Sequence, residues 1–103
     1  FTNAPKIYAL NIINHCNIGR FFQDFHFIEN SNFNGKPSKE SMQRFLSKYR
    51  IQRAYFVDDE KENLKVAKYY GIKTIWINKS KKKPIYIDKK ITSLKELQKL
   101  RLL

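Results

Sequence analysis

The chain has 103 residues, of which 42% are hydrophobic and 15% aromatic, so it is long enough for one domain with a core and too apolar for general disorder. With only three glycines and three prolines, it is neither collagen-like nor of low complexity. No apolar run approaches the roughly 20 residues of a membrane span, no signal peptide is recognisable, and a single cysteine, Cys16, excludes an internal disulfide framework. The sequence therefore predicts a soluble, cytoplasmic domain with no membrane partner.

The charge is strongly positive and unevenly distributed. Twenty-one Lys and Arg against nine Asp and Glu give a formal net charge of +12, which favours a polyanionic partner such as nucleic acid or a phosphorylated substrate. The abundance of Lys, Ile and Asn together is equally typical of AT-rich coding sequences, so composition alone leaves both origins open. Four of the nine acids fall within five residues, at Asp58, Asp59, Glu60 and Glu62. This acidic cluster needs its own explanation in so basic a chain.

The first half of the chain predicts two helices around a short strand. Apolar residues at helical spacing predict a helix from Ala4 to about His15, after Phe1-Thr2-Asn3. Phe25–Glu29 reads as a short strand, and Asn30–Gly35 as a turn-rich loop. Ser38 is the expected N-cap of a second helix. The apolar stripe of that helix is Met42, Phe45, Leu46 and Tyr49.

The second half predicts strands that alternate with helices. Short apolar runs predict strands at Ala54–Val57, Thr74–Ile77 and Ile85–Ile87. Asp59 and Glu62 form an acidic variant of the capping box that opens a helix ending near Gly71. A second capping box, Ser93 with Glu96, predicts a final helix with apolar residues Leu94, Leu97 and Leu100. Helices between buried strands predict right-handed crossovers and a parallel α/β sheet.

In such a sheet, ligands bind at the carboxyl ends of the strands, which indicates three places. Thr2 and Asn3 combine a hydroxyl group with backbone N–H groups at a helix N-terminus, which suits an anion. Asp58 and Asp59 follow the strand Ala54–Val57, and two adjacent carboxylates there suit Mg²⁺. Lys36 precedes a helix, where its ammonium group could balance a phosphate.

Each of these places also has a purely structural explanation. Thr2 and Asn3 are ordinary residues at a helix start, and Lys36 is one of sixteen lysines. A capping box accounts for Asp59. Asp58 is harder to explain in this way, because adjacent carboxylates repel each other unless a cation is bound.

The order of the motifs resembles a known family. Phe1-Thr2-Asn3-Ala4, Gly35-Lys36-Pro37 and the segment F-V-D-D-E-K-E-N at 56–63 are similar to the second, third and fourth motifs of the haloacid dehalogenase (HAD) superfamily. The first and last are most similar to its pyrimidine 5′-nucleotidase-like phosphatases, and Gly71-Ile-Lys-Thr-Ile75 resembles the strand that follows the fourth motif. The resemblance implies a three-layer α/β/α, Rossmann-like parallel sheet.

The resemblance also implies a role for each matching residue. Thr2 and Asn3 would bind the phosphoryl oxygens, and Lys36 would stabilise the charge on the phosphate and on an aspartyl nucleophile. Asp59 would ligate Mg²⁺, with Asp58 either ligating or lying just behind the ligands. Asn63 would orient these carboxylates.

The chain departs from the family pattern at the first motif. HAD enzymes carry D-x-D-x-T on the central strand, where the first aspartate is the nucleophile, and this chain contains no D-x-D. The loop Asn30–Gly35 is too short to hold a cap domain. Residues 1–103 are therefore expected to be the C-terminal portion of a single HAD-like core domain that lacks the first strand and any cap. Alone, the chain is expected to be inactive and prone to self-association, because the missing strand would leave an edge and an apolar slot uncovered.

The favoured function is that of a Mg²⁺-dependent phosphohydrolase acting on a small phosphate monoester, for example a nucleoside 5′-monophosphate. Its aspartyl-phosphate would form on a nucleophile outside this chain. Two alternatives remain open. A basic nucleic-acid-binding module using Lys79–Lys83 explains the charge but not the acidic cluster, so nucleic acid is the less favoured partner. A non-catalytic HAD-like remnant would keep the fold without the reaction.

Overall fold

The computed structural model describes residues 1–100, and contacts divide the chain into two units, Phe1–Tyr49 and Arg50–Leu103. Among the described residues, the first unit contains two α-helices and two short 3-10 helices. The second contains a three-stranded parallel sheet, one α-helix and one 3-10 helix. The chain is therefore a mixed α/β protein, as the alternating pattern predicts.

The two predicted helices of the first unit are present. Helix α1 spans Lys6–His15, and helix α2 spans Lys39–Lys48. As predicted, Ser38 caps α2, because its hydroxyl oxygen accepts a hydrogen bond from the Ser41 N–H at 3.3 Å. Met42 on α2 is fully buried.

The predicted strand at Phe25–Glu29 is wrong. Residues 25–27 are not part of a sheet, and Ile28–Ser31 forms a 3-10 helix. Two backbone hydrogen bonds hold this segment to the start of the chain: the Thr2 N–H donates to the His26 carbonyl at 3.0 Å, and the Ile28 N–H donates to the Ala4 carbonyl at 3.2 Å. The side-chain oxygen of Asn30 accepts from the Phe27 N–H at 2.9 Å. This local bond favours a turn over a strand, which the apolar run alone did not indicate.

The sheet of the second unit consists of β1 (Tyr55–Asp58), β2 (Lys73–Ile77) and β3 (Lys89–Ile91), in that order and all parallel. The first two strands confirm the predicted strands to within one residue. In their register, Asp58 lies opposite Trp76. The carboxyl end of β1 is therefore level with the penultimate residue of β2.

Helix α3 (Lys61–Tyr69) packs on β1 and β2. Its Leu64 side chain joins Trp76 and Ile87 in a buried cluster. The helix ends at Tyr69, close to Gly71 as predicted, and the φ of 80° at Gly71 suits a residue without a Cβ. The Gly71 N–H donates to the Lys68 carbonyl at 2.9 Å, and the Ile72 N–H donates to the Ala67 carbonyl at 3.1 Å. These two bonds form a Schellman motif.

At the end of the chain, one predicted strand is wrong, and the predicted final helix is present in another form and without its capping box. Residues 85–87 form no strand; instead Ile87 is buried in the cluster, and the third strand lies at Lys89–Ile91, where two lysines hide the apolar pattern. The predicted final helix is a 3-10 helix, Leu94–Lys99, whose N-cap Ser93 accepts no side-chain hydrogen bond. The Glu96 carboxylate accepts from the N–H and the hydroxyl group of Thr92 instead.

A hydrogen-bond network fixes the path between β2 and β3. The Thr74 N–H donates to the Asp88 carboxylate at 2.8 Å, and the Asp88 N–H donates to the Thr74 hydroxyl oxygen at 3.0 Å. The Thr74 hydroxyl donates to the Tyr86 carbonyl at 2.6 Å. Burial acts to raise the pKa of Asp88, but hydrogen bonds from Lys68 and Thr74 outweigh it and hold that pKa below its ordinary value.

His26 is a buried titratable side chain of the first unit. It is 2% exposed, and its Nε2 atom lies 2.8 Å from the Ser31 hydroxyl oxygen. Its Nδ1 atom is buried with no hydrogen-bond partner among the described residues. The rings of Phe1 and Phe45 pack edge-on against the imidazole. Burial lowers the pKa of His26 from its ordinary value of 6.5, and the positive charge of Lys48 acts in the same direction.

The first prediction concerns this histidine. Because the folded pKa of His26 is lowered, the unfolded chain binds the extra proton more readily, and folding stability is lost as the pH falls below 6.5 toward the folded value. We expect the free energy of unfolding, measured by urea denaturation at a series of pH values, to decrease over that window. In His26→Phe that pH dependence should disappear, whereas His15→Gln, which removes an exposed histidine, should retain it. A pH dependence that follows His15 instead would contradict the assignment.

Candidate functional site

In the first unit, the structure brings Asn3 and Lys36 together. The side-chain oxygen of Asn3 accepts from the Lys36 N–H at 2.8 Å, and its amide group donates to the Lys36 carbonyl at 3.0 Å. Gly35 permits this approach, because a Cβ atom there would lie 2.9 Å from the Asn3 oxygen and 3.0 Å from Ile28. Asn3 therefore holds the loop that carries Lys36, and its side-chain amide is already hydrogen-bonded to the Lys36 backbone.

The cation and the hydroxyl group of this cluster have their own contacts. The Lys36 ammonium group donates to the Phe1 carbonyl at 3.0 Å and lies 5.0 Å from the centre of the Phe1 ring. The Thr2 hydroxyl oxygen accepts from the Ala4 N–H at 3.1 Å, which leaves the hydroxyl proton available to donate to an anion. Thr2 and Asn3, just before α1, and Lys36, just before α2, are referred to below as the polar cluster of the first unit.

The N-terminus of α1 contacts a carboxylate that the sequence analysis overlooked. Both carboxylate oxygens of Glu29 accept from the Lys6 N–H at 3.0 Å. An anion at this helix end would compete with Glu29, so the helix itself offers less to a phosphate than predicted. The signal was hidden because Glu29 lies in the segment that the apolar pattern assigned to a strand.

In the second unit, the two adjacent aspartates have opposite roles from those that the capping pattern predicts. The prediction that Asp59 caps α3 is wrong: the N-cap is Glu60, with no side-chain cap. Asp58 orders the turn instead, because its carboxylate accepts from the Glu60 N–H at 2.8 Å and from the Asn63 amide at 3.2 Å. The last residue of a strand can accept hydrogen bonds from residues that follow it in the turn. The capping-box spacing, which pairs Asp59 with Glu62, does not include this possibility.

Asp59 is placed differently. Its carbonyl oxygen accepts from the Trp76 indole N–H at 2.9 Å, which fixes the backbone. Its carboxylate is exposed and makes no hydrogen bond to the described residues. Asn63 is buried, and its amide group donates to Asp58 and not to Asp59. Of the two aspartates, Asp59 is therefore the more accessible to a ligand.

The two aspartates provide the type of ligand that a hard cation prefers, but they are few. Asp58 and Asp59 supply carboxylate oxygens, which Mg²⁺ prefers, and Mg²⁺ is commonly held by one or two carboxylates plus waters and substrate phosphate. Within residues 1–100, no three His, Cys, Asp or Glu side chains lie close enough to share a metal ion. These residues fit Mg²⁺ only with ligands from elsewhere.

Comparison with known proteins adds no relative: no family model matches the chain, and no curated protein matches it. Among the residues that the structure describes, no helix is both long and apolar enough to cross a membrane. The interpretation of the site therefore depends on the contacts described above.

The second prediction separates the two aspartates. In Asp58→Asn, the new side chain has one oxygen for the Glu60 N–H and the Asn63 amide group, and its own NH₂ group faces one of these donors. This variant should therefore lower the free energy of unfolding by about 1–2 kcal/mol. Asp59→Asn should change it by less than about 0.5 kcal/mol, because that carboxylate is exposed. Urea denaturation of both variants measures the difference. Equal losses would show that Asp58 does not order the turn.

Proposed function

We propose that this chain is part of a cytoplasmic Mg²⁺-dependent phosphohydrolase of the HAD type, with a three-layer, Rossmann-like core, acting on a small phosphate monoester such as a nucleoside 5′-monophosphate. The observation that supports it best is the pair Asp58 and Asp59 at the carboxyl end of β1 in a parallel sheet. Ligands of such sheets bind at this edge.

One carboxylate is held by hydrogen bonds and the other is accessible, which fits metal-assisted phosphoryl transfer. Asp58 is held by Glu60 and Asn63, so its position is fixed before a ligand arrives. Asp59 has the accessible carboxylate and would ligate Mg²⁺ directly. When bound, the cation would neutralise charge on the phosphoryl oxygens, which is the main requirement of this reaction.

Within the first unit, the proposal assigns phosphate binding to the polar cluster. The Thr2 hydroxyl group would donate to a phosphoryl oxygen, and the Lys36 ammonium group would balance negative charge on the phosphate. Asn3 would contribute by holding the backbone of Lys36 in place. Because the chain contains no D-x-D, the proposal requires an aspartate nucleophile from outside residues 1–103.

The third prediction tests the metal separately from catalysis. In isothermal titration calorimetry, the chain should bind Mg²⁺ weakly, and Asp59→Asn should abolish that binding. Glu62→Gln is the matched control, because it removes an exposed carboxylate from the same acidic cluster and should bind Mg²⁺ as the parent does. Equal loss in both variants would indicate only general attraction to the acidic cluster and would count against the site.

The activity itself is tested with the same variants. The 103 residues alone should not hydrolyse nucleoside 5′-monophosphates, whereas a longer product of the same gene carrying D-x-D-x-T upstream should do so in the presence of Mg²⁺. In that product, Asp59→Asn and Lys36→Ala should each lower turnover by about a hundredfold or more, and Glu62→Gln should not. The proposal fails if turnover survives chelation of Mg²⁺, or if the upstream sequence has no such motif.

A further inference from the structure

A lysine-rich segment follows the carboxyl end of β2. Four of the five residues at 79–83 are lysines, and all five are exposed. We call this segment the lysine loop. Its backbone is ordered by short polar contacts, since the Ser80 N–H donates to the Asn78 side-chain oxygen at 2.6 Å and the Lys82 N–H donates to the Ser80 hydroxyl oxygen at 3.2 Å. The lysines are thus presented from a defined turn.

A fifth lysine lies close to the start of the loop. The Lys90 ammonium group donates to the Asn78 carbonyl at 3.1 Å, which brings a charge from β3 to the carboxyl end of β2. The Lys83 ammonium group donates to the Asp88 carbonyl at 3.2 Å. Both contacts are with carbonyl oxygens, so neither hydrogen bond neutralises a charge; the Glu96 carboxylate interacts electrostatically with Lys90 but not with Lys83.

The carboxylates of this region are engaged elsewhere. From residue 79 to 100, the only acids are Asp88 and Glu96. Asp88 forms its ion pair with Lys68, and Glu96 accepts from Thr92. Among residues 1–100, Lys79, Lys81 and Lys82 form no ion pair within 4.0 Å. The loop therefore concentrates positive charge that the described fold does not compensate.

We propose that the lysine loop, together with Lys90, binds the phosphate backbone of a nucleic acid without reading its sequence. Phosphates that recur every few ångströms along a strand can engage several ammonium groups at once and release the counterions condensed on them. A single small phosphate would engage one or two. No aromatic side chain lies within the loop to stack on bases, so affinity should come from charge.

An acidic membrane surface is the competing partner. Ile85, two residues beyond the loop, is fully exposed and is the kind of side chain that would enter a bilayer. Interfacial binding, however, needs a broad apolar face beside the charges, and a single aliphatic side chain after a run of lysines provides little. The charges therefore favour nucleic acid.

The test measures binding of a fluorescein-labelled oligothymidylate by fluorescence anisotropy, with EDTA present so that the proposed Mg²⁺ site takes no part. At about 50 mM salt, the triple variant Lys79→Gln/Lys81→Gln/Lys82→Gln should bind at least about tenfold more weakly than the parent. The slope of log affinity against log salt should fall in magnitude by about 2, since each lost phosphate contact on a single strand contributes roughly 0.7.

The matched control removes three charges elsewhere in the same unit, with Arg53→Gln/Lys65→Gln/Lys73→Gln, and should keep most of the affinity. Thermal melts should show both variants folded. The proposal is overturned if the parent does not bind, or if both triple variants lose affinity equally. It is also overturned if the chain prefers phosphatidylserine vesicles to the oligonucleotide and Ile85→Ser abolishes that preference.

Discussion

The reciprocal hydrogen bonds between Thr74 and Asp88 determine the geometry of the second unit. They join the beginning of β2 to the residue just before β3, and the ion pair of Asp88 with Lys68 joins both to α3. Thr74 is fully buried, and buried polar groups are costly unless they are paired, so its bonds to Asp88 favour one path of the chain. With β2 fixed, its register with β1 places Asp58 at the edge of the sheet where Asp59 can reach solvent.

The acidic cluster shows how one strand end can supply both structure and chemistry. Asp58 is used to order the turn into α3, and Asp59 keeps an accessible carboxylate. Neighbouring residues of the same type can therefore differ in function because one of them has the better reach to backbone N–H groups. The first unit also divides structure and charge between two residues: Asn3 holds the loop by hydrogen bonds to the Lys36 backbone, and the Lys36 side chain carries the charge.

Sequence patterns predicted the elements whose apolar residues do the packing. The helices α1, α2 and α3 and the strands β1 and β2 follow from their periodicity, and Gly71 marked a helix end because only a positive φ fits there. The patterns failed where a polar contact decided the backbone. The Asn30 side chain accepts from the Phe27 N–H at the start of a 3-10 helix where a strand was predicted, and Glu96 accepts from Thr92 instead of pairing with Ser93. The candidate residues could be selected from the sequence, but only the structure shows that Asp58, and not Asp59, orders the turn into α3.

The long connection between β2 and β3 has a consequence for the integrity of the chain. Exposed lysines in an accessible turn are preferred sites for trypsin-like proteases. A break in the lysine loop would separate β3 covalently from β2. The piece that carries β3 would still be held by the Thr74–Asp88 hydrogen bonds, the burial of Ile87 and the parallel pairing with β2. The nicked molecule would therefore remain assembled as two non-covalently associated fragments, much as permuted or split domains do when the cut lies outside their packed elements.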